Sequence, residues 1–200
     1  MIKEEMPKLM QDSSDKDGHA ETVMDYVISW CLRRAQSMCK TEKPILYSKC
    51  RYMLCKLLDI AVSDIESVEF KRVEVWKQWE RIDLFVEVDA IMNKAEKQYA
   101  ILIEDKFYSG LRNTTDTDGS CKNQLEVYKR KFEDYYNEQN EERELKYALI
   151  TCIERGDKNF RQYEVAENFG FKVFSFYELL EDEKPTESEI FNEFWLRWGS

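Results

Sequence analysis

The sequence predicts an α/β fold in which a mixed β-sheet is flanked by helices. Two early segments place apolar residues at helical spacing, and residues 65–89 alternate polar and apolar side chains with period two, as strands do. Residues 145–153 form a largely apolar run that is typical of a buried strand. The order of helices, three strands, helix, strand, helix and strand favours one sheet covered by helices.

The chain begins with a polar stretch followed by two predicted helices. We expect residues 1–18 to form an N-terminal arm and residues 19–200 to form a single domain. Apolar positions recur from Ala20 to Met38, and Pro44 ends that pattern. A second helix follows, with an apolar face between Leu46 and Leu58. Both helices are predicted to pack on the core.

Three strands come next. Residues 65–76 and 80–89 alternate, and a polar turn at residues 92–97 precedes the apolar run that ends at Glu104. We expect the strand through Glu104 to pair back antiparallel as a hairpin.

The second half of the chain continues the pattern. Residues 108–120 predict a loop, and helix, strand, short helix and strand are predicted over 121–140, 145–153, 160–169 and 171–176. A capping box at residues 186–189 opens a last helix with an aromatic stripe formed by Ile190, Phe191, Phe194, Trp195 and Trp198. The stripe is most simply core; if exposed, it would serve a homo-oligomer or a partner protein.

Composition excludes several classes of protein. Six cysteines without C-x2-C spacing and a single histidine argue against a structural zinc site and favour reduced thiols. No apolar run approaches the roughly 20 residues of a membrane span, and no apolar h-region of the kind found in signal peptides follows residues 1–5, so we expect a cytoplasmic protein without a membrane partner. The net charge of −10 opposes broad attraction to nucleic acid, although a local basic face remains compatible with it.

The most informative stretch is residues 100–106, where an apolar strand ends in two acids and a lysine. Alternation puts Glu104 and Lys106 on one face and Asp105 on the other. With Asp83 from the preceding strand, Glu104 and the backbone carbonyl of Asp105 are candidate ligands for Mg²⁺. Lys106 would orient or help to deprotonate a water and offset the charge that develops on a phosphate.

A second motif lies at the start of the predicted helix after the loop. Gln124 and Tyr128 are four residues apart and share a helix face, where they would bind a phosphate or base or hold Lys106. Lys129 and Arg130 follow directly and are predicted to contact nucleic acid.

The order Asp83-x20-Glu104-x-Lys106, then Gln124-x3-Tyr128, resembles the PD-(D/E)xK nuclease superfamily and its RecB-type exonuclease branch. The resemblance covers about residues 20–153. It implies a restriction-endonuclease-like α-β-β-β-α-β core, dependence on Mg²⁺ or Mn²⁺, and phosphodiester hydrolysis. These five residues are then the expected catalytic group. For the acid often supplied by the first helix, Glu21 is the candidate.

Alternatives remain at this stage. Glu69 and Lys71 form a second Glu-x-Lys copy, but its strand lacks the apolar run and the flanking motifs. The expected function is a metal-dependent nuclease, with DNA favoured over RNA, in bacterial defence or repair. The alternatives are a catalytically inactive nuclease-fold subunit for binding or assembly, and an acidic protein that mimics nucleic acid.

Overall fold

The computed structural model describes residues 20–107, 109–116 and 119–198, so the predicted arm lies outside the described residues. Two helices, α1 (Ala20–Arg34) and α2 (Pro44–Leu57), come first, as expected. Pro44 is the first residue of α2, where its missing N–H costs no hydrogen bond. The first helix ends before the predicted stripe does: Met38 lies in a single 3₁₀ turn and is 80% exposed, so it does not belong to the core.

Three long strands form an antiparallel meander: β1 (Val68–Trp79), β2 (Ile82–Met92) and β3 (Ala95–Lys106). This confirms the predicted hairpin through Glu104. Both connections are two-residue turns, and all four turn residues have the positive φ that type I′ turns require: Glu80, Arg81, Asn93 and Lys94. Residues 62–67 form a 3₁₀ helix, so β1 begins later than predicted.

The remaining elements follow the predicted order. They are β4 (Asn113–Thr115), β5 (Cys121–Asn123), α3 (Gln124–Gln139), β6 (Glu144–Thr151), α4 (Arg161–Glu164) with a 3₁₀ turn (Val165–Phe169), β7 (Lys172–Ser175), a 3₁₀ turn (Tyr177–Leu179), α5 (Glu189–Phe191) and a π-helix (Asn192–Trp198). The small β4–β5 hairpin was not expected: β4 lies in the predicted loop, and β5 occupies the first three residues of the predicted helix.

Helix caps explain where several of these elements begin and end. The Asn123 side chain accepts a hydrogen bond from the N–H of Leu125, which sets the start of α3 three residues after the predicted one. Ser188 caps α5, instead of Thr186 at the head of the predicted capping box. Gly170 ends the 3₁₀ turn before β7 with φ 84°, a left-handed conformation that glycine adopts without strain.

The main sheet has the order β1-β2-β3-β6-β7. The first three strands are antiparallel, and β3, β6 and β7 are parallel, which confirms a mixed sheet flanked by helices. One hydrophobic core lies between the sheet and α1, α2 and the C-terminal segment, and a second lies under α3 and α4. Strand β3 is central and faces both cores, with Ile101 and Ile103 in the first and Ala100 and Leu102 in the second.

The C-terminal aromatic stripe is part of the first core, as its simpler interpretation predicted. Phe191, Phe194 and Trp195 are buried, and the indole N–H of Trp195 donates to the Sγ of Cys31. Ile190 is exposed on the other side of the helix. The three buried rings therefore offer no surface to a partner chain.

Candidate functional site

The candidate site lies where β2 begins and β3 ends. These strands are antiparallel and Leu84 pairs with Ile103, so Asp83 and Glu104 are the next residues outward on neighbouring strands. The last three residues of β3 also pair with β6, which buries them. Glu104, Asp105 and Lys106 are 2%, 1% and 7% exposed. The structure thus brings together the strand residues that the motif selected.

Glu104 and Lys106 lie side by side on the α3 face of the sheet, as the alternation of side chains along β3 predicted. The Nζ of Lys106 lies 2.6 Å from Oε1 of Glu104 and 3.7 Å from Oδ2 of Asp83. The side-chain amide of Gln124 also donates to Oε1 of Glu104. Gln124 is itself held by Arg112, whose backbone N–H donates to the amide oxygen at 3.1 Å. Oε2 of Glu104 has no hydrogen bond to any described residue.

On the α1 side, Asp105 points at Asp25 of the first helix. One carboxylate oxygen from each of Asp25, Asp83 and Asp105 lies within 4.8 Å of the others. The backbone N–H of Asp105 donates to Oδ2 of Asp83 at 3.1 Å, which fixes Asp83 between the two faces. Both carboxylate oxygens of Asp105 and Oδ1 of Asp25 are buried without a hydrogen-bond partner among the described residues.

Four buried or half-buried carboxyl groups therefore lie at this end of the sheet, and two of them, Glu104 and Asp83, lie within 4 Å of the Lys106 ammonium. Burial, followed by repulsion from Asp83 and Asp25, raises the pKa of Asp105 well above its usual range. Burial raises the pKa of Asp25 to about 6, and burial with repulsion from Asp83 raises that of Glu104 to about 8. Without a cation, this group of acids holds protons because it cannot be fully ionised at neutral pH.

The pKa of Lys106 is also raised, but for a lysine this favours the charged form. Burial lowers its pKa, but the carboxylates of Glu104 and Asp83 outweigh that effect and leave the pKa above its usual value. Its side chain is therefore a charged donor among acids.

The donors fit a hard divalent cation. All three grouped side chains offer carboxylate oxygens, which Mg²⁺ and Mn²⁺ prefer over softer ligands. Ligands on opposite sides of Mg²⁺ are about 4.2 Å apart because each bond is about 2.1 Å long. At most one pair of three octahedral ligands can be opposite, and adjacent ligands are about 3.0 Å apart. The three oxygens, which lie within 4.8 Å of one another, would therefore move closer together to share one ion, and the unpartnered oxygens of Asp105 and Asp25 are available as ligands. Of the predicted ligands, Asp83 belongs to this group and Glu104 lies beside it. Asp105 joins the group through its side-chain carboxylate and not through the backbone carbonyl that the sequence predicted.

Other predicted site residues have varied surroundings. Tyr128 is half-buried, and burial, with the charges of Glu104 and Asp83, raises the pKa of its phenol, so it belongs to the site's neighbourhood. Lys129 donates to the carbonyl of Phe169 at 3.1 Å. Arg130 forms a bidentate salt bridge with the buried carboxylate of Asp116. Lys129 and Arg130, which were predicted to contact nucleic acid, thus form intramolecular contacts in this structure.

Two site residues were missed by sequence reasoning. The predicted first-helix acid, Glu21, accepts hydrogen bonds from the N–H of Phe107 and from the Ser109 hydroxyl. The acid of α1 that joins the carboxylate group is Asp25, one turn later. An acid within the apolar stripe, four residues after Glu21, was a usable signal. Gln78 also reaches the site, and nothing in the sequence pattern marks it.

Comparisons of the chain with protein-family models, with curated proteins and with solved structures found no match. Among the helices of the described residues, none has the length and apolar character needed to cross a membrane.

Proposed function

We propose that this protein is a divalent-cation-dependent nuclease that hydrolyses phosphodiester bonds, with DNA favoured over RNA as substrate. One observation carries the proposal: buried carboxylates with unpartnered oxygens converge at one end of the sheet, and an ammonium lies against them. Such a group is costly to bury unless a cation is bound there.

Asp25, Asp83 and Asp105 are the residues that would hold Mg²⁺ or Mn²⁺. A bound ion of this kind supplies an acidified water and neutralises charge on a phosphate. The buried setting strengthens these interactions because little water competes with them. Glu104, with its Oε2 unpartnered, remains a predicted ligand next to the group.

The remaining residues would position the substrate and neutralise the charge that develops on its phosphate. An ammonium has three N–H donors. Glu104 lies 2.6 Å from Lys106, within hydrogen-bond distance, whereas Asp83 at 3.7 Å is an ion-pair partner beyond that distance, so N–H donors remain for a phosphate oxygen as negative charge develops. Gln124 fixes Glu104, and Glu104 in turn fixes Lys106. Tyr128 provides a phenol at the edge of the same group for the substrate backbone.

Cleavage of linear, nicked and single-stranded DNA with Mg²⁺ or Mn²⁺, and with EDTA as the metal-free reference, tests the proposal. We expect cation-dependent cleavage that falls about 100-fold or more in Glu104→Gln and Lys106→Ala, because both remove groups that act on the charged phosphate. Glu69→Gln and Lys71→Ala are matched controls. They alter the second Glu-x-Lys copy, whose 2.7 Å ion pair is about half exposed on β1, and should retain full activity.

Two results would contradict the proposal in different ways. Cleavage that persists undiminished in both site variants would show that Glu104 and Lys106 do not take part. Absence of cleavage on all three DNAs, with cation binding intact, would favour the alternative of an inactive nuclease-fold binding subunit.

A further inference from the structure

Gln78 is a strand residue with an unusual backbone. It lies between the paired residues Lys77 and Trp79 near the end of β1, at the position facing Asp83. Its φ is 57°, in the left-handed region that residues other than glycine and asparagine rarely adopt. Strand alternation would place its side chain on the face of Trp76, away from α1. The left-handed backbone redirects it, and such strain in a folded protein commonly accompanies function.

The redirected side chain ends at the carboxylate group. Nε2 of Gln78 lies 3.4 Å from Oδ2 of Asp25 and 3.3 Å from Oδ1 of Asp83. The neighbouring residue secures this arrangement, because the ammonium of Lys77 lies 2.7 Å from the ring centroid of Tyr26 on α1. The hairpin tip is thereby held against the helix that carries Asp25.

These contacts do not supply a hydrogen bond to Asp105, the most buried acid of the group. The amide of Gln78 serves Asp25 and Asp83, while both oxygens of Asp105 remain without a donor among the described residues. Hydrogen bonding from Gln78 alone does not complete the group. A cation at the centre would satisfy Asp105, but it would also face an amide group that now presents its donor end.

We propose that Gln78 is a further cation ligand, which donates to Asp25 and Asp83 without the ion and turns its amide oxygen to the ion when one is bound. The two ends of an amide are nearly the same size, so a half-turn of the terminal torsion exchanges donor for acceptor in place. Hard cations accept side-chain amide oxygens alongside carboxylates. Gln78 is exposed, so no packed core resists the turn. The inference rests on the cation site of the proposed function and not on DNA cleavage.

Isothermal titration of the full chain with Mn²⁺ tests this role in the wild type, Gln78→Ala and Gln78→Glu. We expect Gln78→Ala to bind Mn²⁺ about 10-fold more weakly, the usual scale for losing a group that supports a metal. Gln78→Glu keeps an oxygen ligand and should bind at least as tightly as the wild type. Gln98→Ala is the matched control: its amide lies 3.5 Å from Oδ1 of Asp89, on the same sheet but away from the site.

A role limited to hydrogen-bond donation predicts a different order. If the donor competes with the ion, Gln78→Ala would bind Mn²⁺ as tightly as the wild type or more tightly. If the donor instead only orients Asp25 and Asp83, Gln78→Glu would bind as weakly as Gln78→Ala, because it also lacks the donor. Either result would overturn the proposal. Weaker binding by Gln78→Glu than by Gln78→Ala would overturn it as well, as would a wild type that binds no Mn²⁺. If binding follows the expected order and no DNA is cut, the ligand role stands and the nuclease proposal fails. Should Gln78→Ala unfold in EDTA, the comparison of Gln78→Glu with the wild type decides.

Discussion

Asp105 shows at the scale of one residue what the site costs the folded protein. Its carboxyl group is 1% exposed and has no hydrogen-bond donor among the described residues. Two further acids, Asp25 and Asp83, lie within 4.8 Å. Removing a carboxyl group from water without a partner costs free energy whether it is ionised or protonated. A folded protein retains such a group when function requires it, at the expense of stability.

Asp105→Asn should therefore stabilise the cation-free protein. The amide is neutral without taking up a proton on folding and brings donors to the neighbouring carboxylates, so we expect the free energy of unfolding in EDTA at pH 7 to rise by about 1–2 kcal/mol. The same variant should lose the stabilisation that Mn²⁺ gives the wild type, because a ligand that binds only the folded state shifts unfolding by mass action.

Urea unfolding with EDTA and with Mn²⁺ measures both effects. Asp134→Asn, at an acid on α3 that is 59% exposed, is the control and should change stability by less than about 0.5 kcal/mol. A clear loss of stability for Asp105→Asn in EDTA would show that Asp105 is a satisfied structural residue.

Individual site residues were predictable to the extent that local periodicity determines them. Alternation along one strand was enough to place Glu104 and Lys106 on one face and Asp105 on the other. Glu21 and Asp25 are one turn apart and share a face of α1, so the choice between them depends on the position of the helix along its own axis relative to β3, which packing sets. Gln78 depends on a left-handed backbone that no local preference of glutamine indicates.

At the scale of elements, a small hairpin links the site strand to α3. The side chain of Asp116 is fully buried and pairs with Arg130 of α3 and with Lys122 of β5. The backbone N–H of Gln124 donates to the carbonyl of Arg112, which ties the start of α3 to the residue just before β4. These contacts bring Gln124 to Glu104. Turn-forming residues dominate this stretch, so its sequence indicated only a loop.

The buried face of α2 offers a test of how firmly this helix is packed. Burial raises the pKa of the Cys55 thiol on α2 to about 12, whereas Cys121 on β5 is exposed. A thiol with that pKa is ionised in only about one molecule in 10⁴ at pH 8, and the thiolate is the form that reacts.

We expect iodoacetamide at pH 8 to label Cys121 and to leave Cys55 unlabelled, as measured by peptide mass spectrometry over time. A raised pKa means that reactivity increases with pH, so labelling of Cys55 should accelerate above pH 9. Equal labelling rates for Cys55 and Cys121 at pH 8 would show that α2 opens readily.

Element order was predictable because periods of two and 3.6 residues are strong signals in long segments. The boundaries of the elements were less predictable from the sequence. The 3₁₀ helix at Val62–Ser67 takes residues whose alternation resembles a strand, and the Asn123 cap moves the start of α3. In both places hydrogen bonds to particular side chains or neighbours override the periodic pattern.

For the whole molecule, the distribution of charge matters more than its total. The net charge is −10, and the basic run on α3 is engaged within the protein: Lys129 with a carbonyl, Arg130 with Asp116, and Lys131 with Glu80 at 3.0 Å. Long-range attraction of a phosphate backbone is therefore expected to be weak. Attraction at the site itself would come from a bound cation and Lys106, which makes the cation part of substrate binding as well as of chemistry.

The most direct test of the cation site is anomalous X-ray diffraction from crystals of the full chain grown with Mn²⁺. We expect one strong peak among the carboxylates of Asp25, Asp83 and Asp105, with oxygens at about 2.1–2.2 Å from the ion. No peak at saturating Mn²⁺, or a peak only elsewhere on the surface with these three side chains unmoved, would contradict the proposed metal centre and the nuclease mechanism built on it.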